Sequence, residues 1–118
     1  MKNIINDSAK KDNYDNLEKV AEFIRNNYPQ NHSAEYYAEM CNLNKYYFIK
    51  VFGEYTGVSP QHFKTQIRIE KAKELLKTTS MHNGEIAELV GYSSSYYFSR
   101  IFKTYSGVSP TEYRKNNK

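Results

Sequence analysis

The sequence predicts an all-α fold, and three observations predict it. A nineteen-residue segment occurs twice: Tyr46–Lys64 (YYFIKVFGEYTGVSPQHFK) returns as Tyr96–Arg114 (YYFSRIFKTYSGVSPTEYR), fifty positions later, without a gap and with nine of nineteen positions identical. Apolar residues recur at three- and four-residue intervals, and no stretch shows the alternation of a strand. Helix stops and restarts fall at matching places in both copies, as Gly-Val-Ser-Pro at 57–60 and 107–110. A repeat of this kind marks a supersecondary unit used more than once. At 118 residues the chain is one ordinary domain or two very small units sharing a core.

The elements follow in order. Residues 1–14 are polar, lack helical periodicity and read as a flexible tail or the end of a linker. Asp15 is placed to cap a helix whose face is Leu17, Val20, Ala21 and Ile24, ending near Tyr28 because Pro29 disfavours helical geometry in the residue before it. Ser33 opens a short helix with Tyr37, Ala38 and Cys41 inward. Asn42, and Gly91 in the second copy, stand where a helix end requires left-handed backbone. Asn44 and Ser93 are the expected caps of the next helices. There Phe48, Val51, Phe52 and Tyr55, and likewise Phe98, Ile101, Phe102 and Tyr105, fall at i, i+3, i+4 and i+7, one apolar stripe each. Gly57 and Gly107 stop these helices; Pro60 and Pro110 occupy the favoured first position of the following ones. A long helix from Ser59 to about Thr78 offers Phe63, Ile67, Ala72, Leu75 and Leu76 for packing. Met81–Asn83 is a connector, with Asn83 as cap of a short helix holding Ile86, Ala87 and Val90. A last short helix follows Ser109. The count is seven helices. The organisation is a first unit at 15–58, a linker helix at 59–78 and a second unit at 79–118. Each unit is a short helix, a tight turn and a second helix with one apolar and one polar face, the plan of a helix-turn-helix.

Composition narrows the chemistry. Net charge is +4, which permits nucleic-acid binding. From Tyr92 to Lys118 there are five Lys or Arg against one acid, Glu112, whereas all three Asp lie in the first fifteen residues. Fifteen per cent of residues are aromatic, with twelve Tyr and no Trp, and tyrosine suits half-buried, wet surfaces. The single cysteine, Cys41, rules out an internal disulfide or a cysteine zinc cluster within one chain and is expected to fill core space. His32, His62 and His82 lack metal-ligand spacing, so neither metal nor cofactor is expected. No apolar run reaches the length of a membrane span. Without a phosphate loop, paired carboxylates or a nucleophile with its base, an enzyme is not expected.

The segments Ile67–Leu76 (IRIEKAKELL), Glu85–Pro110 (EIAELVGYSSSYYFSRIFKTYSGVSP) and, more faintly, Ala38–Pro60 resemble the AraC/XylS family of DNA-binding domains, over roughly Leu17–Lys115. The resemblance implies two helix-turn-helix subdomains on a linker helix, double-stranded DNA as partner, and transcriptional regulation in a bacterial cytoplasm, most often activation through RNA polymerase. It also implies that a separate sensor, ligand-binding or a receiver as in two-component response regulators, can precede this domain. The domain itself is expected to be monomeric, with dimerisation left to such an N-terminal domain. A helical protein-interaction module is the alternative, and it predicts binding indifferent to salt.

Carried over by position, the family's base-reading face falls on Tyr46, Ile49 and Lys50 in the first unit and on Ser95, Tyr96, Ser99 and Arg100 in the second. Arg100 can bond guanine O6 and N7 together, Lys50 is a point charge without the planar fork, and Ile49 suits a thymine methyl. Lys45, Lys103 and Thr104 are the expected phosphate contacts. For Tyr47 and Tyr97, packing against the first helix of each unit is favoured over a phosphate contact. The sequence departs from the family where Gly53 replaces a common Lys and where Lys50 replaces the commoner Arg. Both departures point to weaker binding by the first unit and an asymmetric DNA site.

Overall fold

Every short helix here is fixed by what closes its ends. A computed structural model describes residues 2–117, with side chains from Tyr14 onward. It contains seven helices among the described residues: α1 (Lys2–Asn26), α2 (Ala34–Met40), α3 (Lys45–Thr56), α4 (Pro60–Thr78), α5 (Asn83–Leu89), α6 (Ser95–Ser106) and α7 (Pro110–Asn116). The chain divides into two compact units. The first takes the residues to Asn27 with His32–Phe63; the second takes Tyr28–Asn31 and the residues from Lys64 on. The division falls inside α4, whose first turn belongs to the first unit.

In the first unit Leu17, Val20, Ala21 and Ile24 of α1 are buried, as are Tyr37, Ala38 and Cys41 from the α2 region and Phe48, Val51 and Phe52 of α3, and the three helices contact one another pairwise. Rings carry the packing from α2 to α4: Tyr37 to Phe48 at 6.5 Å, Phe48 to Phe52 at 5.5 Å and Phe52 edge-on to Phe63 at 5.4 Å. Two expectations are corrected here. α1 begins at Lys2, so Asp15 is an exposed interior residue and not a cap. No Gly or Pro interrupts the polar stretch before Leu17, so nothing stops helix propagation, which adds one hydrogen bond per residue fixed. Tyr55 lies at the exposed end of its stripe. Its hydroxyl donates to Glu18 Oε2 at 2.6 Å, its ring lies 5.3 Å from that of Tyr14, and Arg25 bonds both Glu18 and Glu22.

In the second unit Ile69, Ala72 and Leu76 of α4 are buried with Ile86, Ala87, Val90, Phe98 and Phe102, and Phe102 meets Tyr113 of α7 edge-on at 5.6 Å, the counterpart of Phe52 on Phe63. On α4 the expected Ile67 and Leu75 are only half-buried, while Ile69 is buried with the polar Lys64, Thr65 and Arg68. Arg68, 3% exposed, is fully partnered inside. It donates from Nε to the Tyr28 carbonyl at 2.7 Å and from Nη2 to Asn31 Oδ1 at 2.8 Å and the Gln30 carbonyl at 3.3 Å, and it lies over the Tyr92 ring at 4.9 Å. Burial, then the Arg68 charge, pushes the Lys64 ammonium down from its ordinary value. Arg114 does similar work after α4: Nε donates to the Leu76 carbonyl at 3.1 Å and Nη2 to that of Met81 at 2.6 Å. A guanidinium suits this role because it brings five donors in a fixed fork.

Both short helices end in the same hydrogen-bonded motif. The Asn42 N–H donates to the Glu39 carbonyl and Leu43 N–H to Ala38; in the second unit Gly91 donates to Glu88 and Tyr92 to Ala87. The left-handed residue is Asn42 at φ 56° in one and Gly91 at φ 109° in the other. Asn42 shows that a side chain is tolerated in the first turn. The second requires glycine for a further reason: a Cβ on Gly91 would lie 2.6 Å from the Pro29 carbonyl oxygen and 2.7 Å from Arg68 Nη2.

Two consequences can be measured. Gly91→Ala is expected to lower unfolding free energy by about 2–4 kcal/mol, from clash and backbone strain together. Gly53→Ala, where the nearest atom to the added Cβ is 3.9 Å away, should raise it by about 0.5–1 kcal/mol in the same urea titration. The Tyr55–Glu18 bond also sets a pH window. It is the first cause holding the Glu18 carboxyl below its ordinary 4.5, ahead of Arg25, and the first cause holding the Tyr55 phenol above its ordinary 10.0. Its contribution is therefore complete between these two values, lost in acid as Glu18 protonates and lost in base as Tyr55 ionises. The stability difference between wild type and Tyr55→Phe should shrink on both flanks, and it is small throughout because these groups face solvent.

Candidate nucleic-acid interface

α3 and α6 carry the candidate site, and each is aimed by its cap. Asn44 Oδ1 accepts the Tyr47 N–H at 2.9 Å at the start of α3, and Ser94 Oγ accepts the Tyr97 N–H at 3.1 Å at the start of α6. The expected cap Ser93 is thus one residue early. The two units align at an offset of 49 from Ser33/His82 to Leu43/Tyr92 and at 50 from Asn44/Ser94 onward, so the second turn contains one extra residue, Ser93. A similar shift places His82, not Asn83, at the cap of α5, where Glu85 Oε1 accepts the His82 N–H at 3.0 Å and the Asn83 side chain instead reaches Thr111 Oγ1. At their far ends α3 and α6 stop at Gly57 and Gly107, both left-handed.

The stripe Phe48, Val51 and Phe52 turns α3 inward, and Phe98 and Phe102 turn α6 inward. The opposite faces are thereby presented to solvent. On α3 Tyr46 is 79% exposed, Lys50 exposed and Ile49 half-buried; on α6 Tyr96 is 75% exposed, Ser95 and Arg100 exposed and Ser99 half-buried. All seven expected base-reading residues lie on these two faces. Each face pairs a tyrosine with a cation: Lys45 Nζ is 5.6 Å from the Tyr46 ring centre, and the Arg100 guanidinium carbon 5.9 Å from that of Tyr96.

The three expected phosphate contacts differ in availability. Lys103 is exposed and has no acidic partner among the described residues. Lys45 is held by Glu35 of α2, Nζ to Oε1 at 3.2 Å, a pairing that sequence spacing gives no reason to expect. Thr104 donates its hydroxyl to the Arg100 carbonyl at 3.0 Å, which uses its only donor. Tyr47 and Tyr97 are exposed, with the Tyr97 ring 5.8 Å from that of Tyr92 at the turn. No group of three metal-binding side chains occurs among the described residues, and no described helix is long and apolar enough to cross a membrane.

Residues 37–116, taking in the second part of the first unit and all of α4–α7, match the family model described as a helix-turn-helix domain. The chain belongs to the AraC family of DNA-binding domains. It is 38% identical to the C-terminal domain of AraT, a response regulator from Geobacillus stearothermophilus, with a TM-score of 0.80 over 85% of this chain and 84% of that one. The DNA-binding domain of AdpA, a global transcriptional factor solved with a target DNA, shares the fold at a TM-score of 0.81 and 24% identity, covering 86% of this chain and 91% of that one. Among full-length relatives, the lactose operon transcription activator of Staphylococcus xylosus is 32% identical over 108 residues, 88% of this chain. The AraC-type chain spans 39% of that relative's length and 30% of a Haemophilus influenzae regulator's. The family is a DNA-binding one, and the relatives named here are transcriptional regulators.

The extra turn residue makes the caps separable. Ser94→Ala should lower stability by about 1 kcal/mol, whereas Ser93→Ala should stay within about 0.5 kcal/mol, both read from thermal melts.

Proposed function

We propose that this domain inserts α3 and α6 into successive major-groove segments of an asymmetric DNA site and activates transcription there. The observation that carries the reading is the outward presentation, on each repeated helix, of one largely exposed tyrosine beside a cation, above a face sealed by two phenylalanines. Tyr46, Ile49 and Lys50 are assigned to base edges in one segment, and Ser95, Tyr96, Ser99 and Arg100 in the other. Lys45, Lys103 and Thr104 are assigned to phosphates, Thr104 as the weakest because its hydroxyl is engaged. The repeat itself supports a tandem docking, since each unit carries its own outward helix on the same plan.

Activation rests on likeness, since the Staphylococcus xylosus relative is an operon activator. With it comes contact with RNA polymerase in a bacterial cytoplasm. The domain acts as one chain on its site, and dimerisation, where it occurs, belongs to a further domain. The similarity to a response regulator's C-terminal domain supports control by phosphorylation of such a domain.

The second unit dominates affinity in this reading, because Arg100 supplies a bidentate fork where the first unit has Lys50, and Lys103 a phosphate contact where the first unit has Gly53. Sequences selected from a random DNA pool give the site. On that site Arg100→Ala should cost about 1–3 kcal/mol and relax preference at one base pair, and Lys50→Ala should cost less. Affinity should fall steeply with salt, and Lys103→Ala should make that slope shallower by about 0.9. A salt-independent affinity, or a greater loss from Lys50→Ala than from Arg100→Ala, counts against it.

A further inference from the structure

We propose that Glu35 sets the DNA affinity of the first unit, by holding the Lys45 ammonium in competition with a backbone phosphate. The inference rests on the assignment of Lys45 to a phosphate. Lys45 is the first residue of α3, where the positive end of the helix dipole disfavours a cation, so neither helix formation nor packing explains a lysine there. Glu35, in the first turn of α2, answers that charge across the turn at 3.2 Å. Its carboxyl is kept below the ordinary range first by its own backbone N–H and then by Lys45, so it stays ionised at neutral pH.

The pair is open to exchange. The lysine side chain is 40% exposed and the glutamate 58% exposed, and exposed pairs of this kind are weak. A phosphate arriving at the start of α3 meets an ammonium that is already neutralised and a carboxylate that repels it. The second unit contains neither half of the device: at the offsets given above, Glu35 corresponds to Gly84 and Lys45 to Ser95. The restraint is thus a property of the first unit alone, and it lowers that unit's contribution beyond what Lys50 and Gly53 do.

The test is a double-mutant cycle on the intact chain, binding one selected duplex across a salt series. Glu35→Gln should tighten binding roughly three- to fivefold at low salt, the size of one exposed ion pair, and steepen the salt slope by about 0.9 as one more phosphate is neutralised. Glu39→Gln, the same charge change one turn further along α2, should give a much smaller gain. Lys45→Gln should weaken binding in both backgrounds, but by a smaller factor in the wild type than in the Glu35→Gln background, where it abolishes the gain. Equal gains from Glu35→Gln and Glu39→Gln overturn the proposal, as does an equal loss from Lys45→Gln in both backgrounds, which would leave Lys45 at a phosphate but unrestrained. No effect of Lys45→Gln in either background overturns the phosphate assignment as well.

Discussion

Everything in each unit depends on one left-handed residue. Without a backbone reversal at Asn42 or Gly91, the short helix ahead of it would run on and the repeated helix could not turn its phenylalanine face onto the core. The reversal is held twice, by the paired bonds to the carbonyls three and five residues back and by the cap that starts the next helix. Left-handed geometry is costly for most side chains and cheap for Asn and Gly. A small expense at one residue is offset by these three hydrogen bonds and a sealed aromatic core.

Within the second unit two arginines answer the same need at two connectors. A connector between helices leaves carbonyls without partners, and buried carbonyls must find donors. Arg68 supplies them to Tyr28 and Gln30, and Arg114 to Leu76, Thr79 and Met81. Cations placed here gain carbonyl and amide oxygens in place of water. That arrangement offsets desolvation of a guanidinium far better than an apolar setting would.

Much of this was legible in sequence because the decisive residues are conformational specialists. Asn42, Gly57, Gly91 and Gly107 mark left-handed stops, Ser-Pro marks restarts, and the phenylalanine spacing fixes which face of α3 and α6 is inside. The misplacements have a common cause: several residues of suitable type competed and tertiary context chose. Three serines at 93–95 can all cap, and only the extra turn residue selects Ser94. Asn83 is the better cap by type, yet Glu85 is spaced to bond the N–H of His82. Arg68 carries no sequence signal for its partners in Tyr28–Asn31, which lie some forty residues away, and Ile69 rather than Ile67 meets the core of the second unit. On the candidate interface the exposed faces followed directly from the stripes opposite them. The Glu35–Lys45 pair did not, because ten residues and a turn separate its members.

The separation of faces has a consequence for how such a domain changes over generations. Stops, caps and phenylalanines occupy one set of positions, while Ile49, Lys50, Ser99 and Arg100 occupy another, and the repeat keeps the first set aligned while the second diverges. Exchanges at exposed helix positions typically move stability by less than about 0.5 kcal/mol. The outward residues can therefore drift through many combinations while the scaffold stays above its unfolding threshold. The repeat thus carries a second outward surface that is free to vary, over a stripe that holds the helix in place.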